Sequence, residues 1–180
     1  MFSTVALILL VFVGALLVFI SRQPERFLVE RSARVEAPLD VVFAQVNDLH
    51  NWEHWSPWAK RDPQMQNVYE GPSAGVGAVH RWAGDKQVGE GSMTIVHSQP
   101  HQQVDIELAF LKPFRATHQV VFRFEPEGDG TRVTWSMSGR NNFMAKAMHL
   151  AMNMDKMCGG DFEQGLAQLK GLAEAAHQGA

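Results

Sequence analysis

The stretch QVDIELAFLKPFRATHQVVFRFEPEGDGTRVTWSMSG, residues 103–139, decides the fold. Its first segment alternates, with Val104, Ile106, Leu108 and Phe110 on one face and Gln103, Asp105 and Glu107 on the other. Lys112-Pro113 turns the chain into 115–124, where His118, Val120, Phe122 and Phe124 share a face. Glu127-Gly128-Asp129-Gly130 is a strong turn signal. It leads into 131–139, with Val133, Trp135 and Met137 set against Thr134, Ser136 and Ser138. A period of two with tight turns means consecutive antiparallel strands.

The same period extends toward the N-terminus. Strands are expected at 66–69, 76–83 and 87–96, with Gly84-Asp85 as a hairpin turn. A further strand is expected at 27–36, stopped by Ala37-Pro38. Two short helices follow, over 39–46 and 49–55, the second broken by Ser56-Pro57. After the strands the period becomes three to four. Residues 142–176 read as one long helix, with Phe143, Ala147, Leu150, Met154, Met157, Phe162, Leu166, Leu169 and Ala173 inward. Lys146, His149, Asn153 and Lys156 form its wet face, and Gly159-Gly160 is a place for a kink. The fold class is α+β: a curved antiparallel sheet of about six to seven strands around a long C-terminal helix.

Residues 1–20 carry no charged side chain, and 5–20 are continuously apolar or Gly. About twenty residues cross a bilayer core, so 1–21 is expected to be a transmembrane anchor. The absence of a basic residue before the run and the ending Val18-Phe19-Ile20-Ser21-Arg22 argue against a cleaved signal. Arg22, Arg26, Arg31 and Arg34 place the following domain on the cytoplasmic side of an inner or plasma membrane. The expected organisation is anchor 1–21, linker 22–26 and ligand-binding domain 27–180.

The 180 residues have a formal net charge of −3, so there is no basic footprint for nucleic acid. One cysteine, Cys158, excludes an internal disulfide. There is no Gly-rich phosphate loop opening a helix, no nucleophile elbow and no zinc-protease motif. No cofactor and no metal are expected; His50 and His54 flank Glu53 at helical spacing but lack a third ligand.

Several segments, taken in order, resemble the START/polyketide cyclase-like (SRPBCC) superfamily. They are Val35-Glu36-Ala37-Pro38-Leu39-Asp40-Val41-Val42-Phe43, Asp48-Leu49-His50-Asn51-Trp52 with Trp55-Ser56-Pro57-Trp58, and Gly75-Val76-Gly77-Ala78. Further on come Gly89-Glu90-Gly91-Ser92-Met93-Thr94-Ile95, Gly130–Gly139 and 161–170. The resemblance covers 27–176 and implies the helix-grip fold, with the anchor as an addition. It also implies a cavity between sheet and helix for a hydrophobic small molecule, lipid- or quinone-like. A cyclase-, dehydratase- or hydrolase-type enzyme in that cavity is an alternative, as is an accessory protein that docks a membrane protein partner.

Candidate ligand-binding residues are Trp55, Trp58, His80, Trp82, Met93, His118, Phe122, Trp135, Met137, Met148 and Met152. Trp52, Trp55 and Trp58, at intervals of three, either plug one end of the sheet or line a cavity mouth or membrane interface. The strand aromatics and methionines are either core or pocket wall. His80, His118 and Glu90 are the acid–base candidates. Glu90 has opposite parity to Met93 and Ile95, so it is expected to face outward.

Overall fold

The computed structural model describes residues 2–141, 143–151 and 154–179. The expected sheet is present, with seven strands: β1 (Arg26–Val35), β2 (Gln66–Glu70), β3 (Val79–Ala83), β4 (Glu90–Gln99), β5 (Gln103–Lys112), β6 (Ala116–Glu127) and β7 (Gly130–Arg140). All pairings are antiparallel, in the spatial order β1-β7-β6-β5-β4-β3-β2. The last strand returns to pair with the first, so β1 and β2 are the two edges. The helices are α1 (Phe2–Ser21), α2 (Leu39–Asn47), α3 (Trp52–Trp55), α4 (Phe143–Ala151) and α5 (Met154–Gln178), with a 3₁₀ turn at Leu49–Asn51 before α3.

The core lies where α5 packs on β1 and β7, with α2 on β6 beside it. Phe162, Leu166, Leu169 and Ala173 recur at four, three and four residues and are all buried, which gives α5 one narrow apolar stripe. Phe162 lies flat on Trp135, with ring centroids 4.1 Å apart, and Trp135 stacks in turn on Phe122 at 4.9 Å. Such aromatic pairs add roughly 0.5–1.5 kcal/mol each beyond their buried area. Gly165 permits this approach, since a Cβ there would come within 2.7 Å of the Trp135 ring.

The short helices close one end. The Trp52 and Trp55 indole N–H groups donate to the carbonyls of Val46 and Gln45, each at 3.0 Å. These are last-turn carbonyls of α2, which have no partner inside their own helix. The bonds therefore fix α3 against α2 and satisfy both buried indoles at once.

Four features of the chain differ from the sequence expectation. Within the expected C-terminal helix, Gly159-Gly160 makes no break: α5 runs through both glycines. Gly159 has another use: a Cβ there would lie 2.1 Å from Arg31 Nη2. The Arg31 guanidinium takes that space and bonds Asp155 at 2.8 Å and Glu163 at 2.7 Å, one on each side of the glycine. These partners push Arg31 above its usual range and hold the Asp155 carboxyl below the usual carboxylate range.

Lys146 is buried rather than on the wet face, and its Nζ donates to the Ser21 carbonyl at 3.1 Å. A cation at the end of α1 meets unpaired carbonyls and the negative end of the helix dipole. Phe143 and Leu150, expected inward, are 49% and 42% exposed. Finally, β4 begins at Glu90. Asp85 Oδ1 accepts from the Gln87 and Val88 N–H groups and so holds 84–89 as a longer loop.

Candidate ligand-binding site

Two transverse rows of the sheet build the site. Register aligns Tyr69, His80, Met93, Leu108, His118, Gly139 and Phe27 in one row across all seven strands. The next row contains Asn67, Trp82, Gly91, Phe110 and Ala116. The concave members of both rows face the loop after α3 and the N-terminal half of α5.

Between them is a cavity of about 270 Å³, close to the lower bound of about 300 Å³ for small-molecule sites. Trp82, Met93, Leu108, Phe110, Trp135 and Met137 supply sheet-side walls. Trp58, Met65, Met157 and Phe162 close it from the loop and from α5. Gly91 shapes the floor: a Cβ there would sit 2.4 Å from the Trp82 ring and 2.6 Å from the Ala109 carbonyl. Without a side chain at 91, Trp82 lies across β4 and meets Phe110 edge-on at 6.0 Å.

One wall is polar. Tyr69 stacks between His50 at 4.1 Å and His80 at 4.7 Å. Its hydroxyl donates to Glu53 Oε1 at 2.7 Å. His80 Nε2 bonds Asn67 Oδ1 at 2.8 Å, and His50 Nδ1 meets Asp48 Oδ1 at 2.8 Å. Burial pushes the His80 imidazole below its usual range, so it is neutral at pH 7. Burial together with Glu53 pushes the Tyr69 phenol up. Near the cavity, His80 and Tyr69 are therefore uncharged hydrogen-bonding groups. At the rim, Arg61 pairs with Asp161 and lies over the Trp58 ring at 5.8 Å. Cys158 also lines the cavity, and burial raises its thiol above the usual range.

Of the residues named from sequence, Trp58, His80, Trp82, Met93, Trp135 and Met137 are brought together around this cavity. Trp55 and Phe122 are fully buried in the core and contribute no lining. His118 occupies the same row as His80 but lies between Phe27 and Phe110, edge-on at 5.1 and 5.8 Å. Gly139 makes that seat, since a Cβ there would be 2.4 Å from His118 Nδ1. Glu90 lies off the cavity and pairs with Lys112 at 2.7 Å. Met152, and the side chain of Met148, lie outside the described residues.

Sequence reasoning missed Glu53, Asn67 and Tyr69 as site residues, and Leu108 and Phe110 as walls. Leu108 and Phe110 were legible as inward by alternation. Asn67 and Tyr69 belong to a five-residue edge strand whose register no local pattern fixes.

The sequence matches the family described as polyketide cyclase / dehydrase and lipid transport over residues 26–174, and the chain belongs to that family. No curated protein matches the sequence. Among solved structures, the fold is similar to protein MLL2253 from Mesorhizobium loti, at TM-score 0.61 and 16% identity, covering 83% of this chain and 98% of that one. It is also similar to the Aha1 dimer from Colwellia psychrerythraea, at TM-score 0.60 and 14% identity, covering 82% and 96%. A third is the di-domain ARO/CYC StfQ from the steffimycin biosynthetic pathway, at TM-score 0.64 and 13% identity, covering 87% of this chain and 53% of that one. At these identities the likeness concerns the fold.

Proposed function

We propose that this protein is a membrane-tethered binding or carrier protein for a hydrophobic small molecule, lipid- or quinone-like. Its parts are an anchor at 1–21, a linker at 22–26 and a binding domain at 27–180. The domain lies on the cytoplasmic side of an inner or plasma membrane. The observation that carries the reading is the 270 Å³ cavity with its mostly apolar wall. Burying about 200 Å² of apolar ligand surface there would release roughly 5 kcal/mol before the costs of association. Binding therefore requires no catalytic group.

The tether is supported by α1, in which residues 4–21 form a helix of mean hydropathy 2.9 that is only 6% buried. Tethering would hold the cavity at high effective concentration relative to membrane-dissolved ligands.

A cyclase- or dehydratase-type enzyme in the same cavity is the second reading, and the convergence of Tyr69, Glu53 and His80 on one wall favours it. The likeness to an ARO/CYC protein points the same way. Of the three acid–base candidates from sequence, only His80 touches the cavity, which weighs toward binding.

The test is native mass spectrometry of the full chain released from its own membrane in detergent, followed by organic extraction. A stoichiometric apolar molecule, absent from Met93→Trp protein that remains folded, is the expected result. Empty protein that also takes up no fluorescent lipid or quinone analogue would overturn the proposal. Conversion of the extracted molecule by the purified chain, abolished in Tyr69→Phe, would favour the enzyme.

A further inference from the structure

The strand register gives the sheet two unlike ends. Arg26, Arg140, Ala116, Lys112, Glu90 and Ala83 lie at one of them, and α1 joins the sheet there, immediately before Arg26. Three bonds fasten this end to the foot of α1. The Asn141 N–H donates to the Glu25 carbonyl at 2.8 Å, Asn141 Nδ2 to the Pro24 carbonyl at 3.1 Å, and Lys146 Nζ to the Ser21 carbonyl at 3.1 Å.

The same end carries large apolar side chains with little cover. On the β5–β6 hairpin, Leu111 is 49% and Phe114 69% exposed; at the start of α4, Phe143 is 49% and Met144 66% exposed. Single exposed apolar residues are ordinary, but a cluster beside a membrane span is not. Basic residues outnumber acidic ones around it: Arg22, Arg26, Arg115 and Arg140 stand against Glu25, and Lys112 is paired to Glu90. Around the turns of the opposite end Glu36, Glu70 and Glu127 are paired with Arg34, Arg81 and Arg132, and Glu125 and Asp129 add acidic charge.

Reach is compatible with a shared plane. The hairpin tip projects about 7–10 Å beyond the Phe110–Ala116 row at roughly 3.4 Å per residue. Residues 22–25, which join α1 to that level of the sheet, span at most about 14 Å.

We infer that this end of the sheet is a second membrane-contact surface, on which Leu111, Phe114, Phe143 and Met144 enter the headgroup layer of an anionic leaflet beside α1. The arginines lie against lipid phosphates, and the apolar side chains sit at the acyl boundary. The inference rests on the tethered reading and adds an orientation to it. The domain stands on the bilayer by this end, and the Trp82–Phe110 part of the cavity wall, in the row next to the hairpin, is the part nearest the lipid.

The test uses the full chain with Cys158→Ser, reconstituted in phosphatidylcholine vesicles with about 30% phosphatidylglycerol. Single cysteines at Phe114→Cys, Met144→Cys, Val76→Cys and Leu9→Cys carry an environment-sensitive fluorophore. Val76 is exposed at the opposite end of the sheet, and Leu9 lies in α1. Lipid-borne doxyl groups should quench positions 114 and 144 at least about twofold more than position 76, and position 9 most of all. Quenching at 9 with 114 and 144 no different from 76 would overturn this inference and leave the tether standing. No quenching at 9 would overturn both. Shielding of 114 from aqueous iodide without lipid quenching would place a second copy of the chain there and would also overturn it.

Discussion

The two halves of the sheet present similar apolar concave faces and meet different fates. On β1, β7 and β6, α5 and the short-helix residues Trp52 and Trp55 bury Phe122, Val133 and Phe162 almost completely. On β2 to β5, near Trp82 and Met93, the walls enclose empty space instead, bordered by Trp135 and Phe162 at the edge of the filled half. The difference comes from backbone spacing. Gly165 lets α5 descend onto Trp135 in the filled half, whereas Gly91 lets Trp82 lie flat in the hollow half and keeps space above it. One glycine removes volume between layers and the other preserves it.

Substitutions can break this contrast. The largest effect is expected from Phe122→Ala in the filled half. A buried aromatic lost from the core costs about 3–5 kcal/mol, read by chemical denaturation in detergent, while affinity for a fluorescent apolar probe stays within about threefold. Comparable probe loss would mean that the two halves are not separable. In the hollow half, Gly91→Ala should reverse the pattern. Its methyl drives Trp82 into the cavity, costs about 1–3 kcal/mol and weakens the probe at least about tenfold in a titration.

Tyr69→Phe removes the hydroxyl that Glu53 accepts. The loss should be about 0.5–1.5 kcal/mol in the same denaturation assay, and a larger loss would make the polar wall a structural element of the hollow half.

The smallest effect is a pH dependence. His80 is below its usual range in the folded chain, so from pH 6.5 down to that lowered value the unfolded chain binds more protons. Stability from this group is therefore complete above about pH 6.5 and declines on acidification through the window. Denaturation midpoints should fall as the pH is lowered from 7.5 to 5 in the native sequence and less steeply in His80→Phe; equal slopes would remove His80 as the cause.

Alternation made the core strands readable. In 103–110 and 131–137 every second residue is apolar, a strand has only two faces, and the register that follows needs no long-range information. The parity of Glu90 against Met93 and Ile95 likewise gave its side away from the cavity. His118 was not readable in that way. It shares a face with His80, yet curvature and the gap left by Gly139 seat it against Phe27, from the far edge strand. Tyr69 and Glu53 are sixteen residues apart and meet only because β2 closes the sheet edge beside α3. Lys146 looked solvated because its helical spacing matched polar neighbours, while its partner is a carbonyl from a helix more than a hundred residues earlier.

The sequence alone determined the antiparallel sheet, the apolar stripe of α5, the uncharged N-terminal helix and the family resemblance. All of these are periodic or local signals whose physics is complete within a few residues. Tertiary structure alone decided which inward side chains become core and which become cavity wall. That outcome depends on the distance between helix and sheet, set by pairs such as Gly165 with Trp135 and Gly91 with Trp82, and no one-dimensional pattern encodes such a distance.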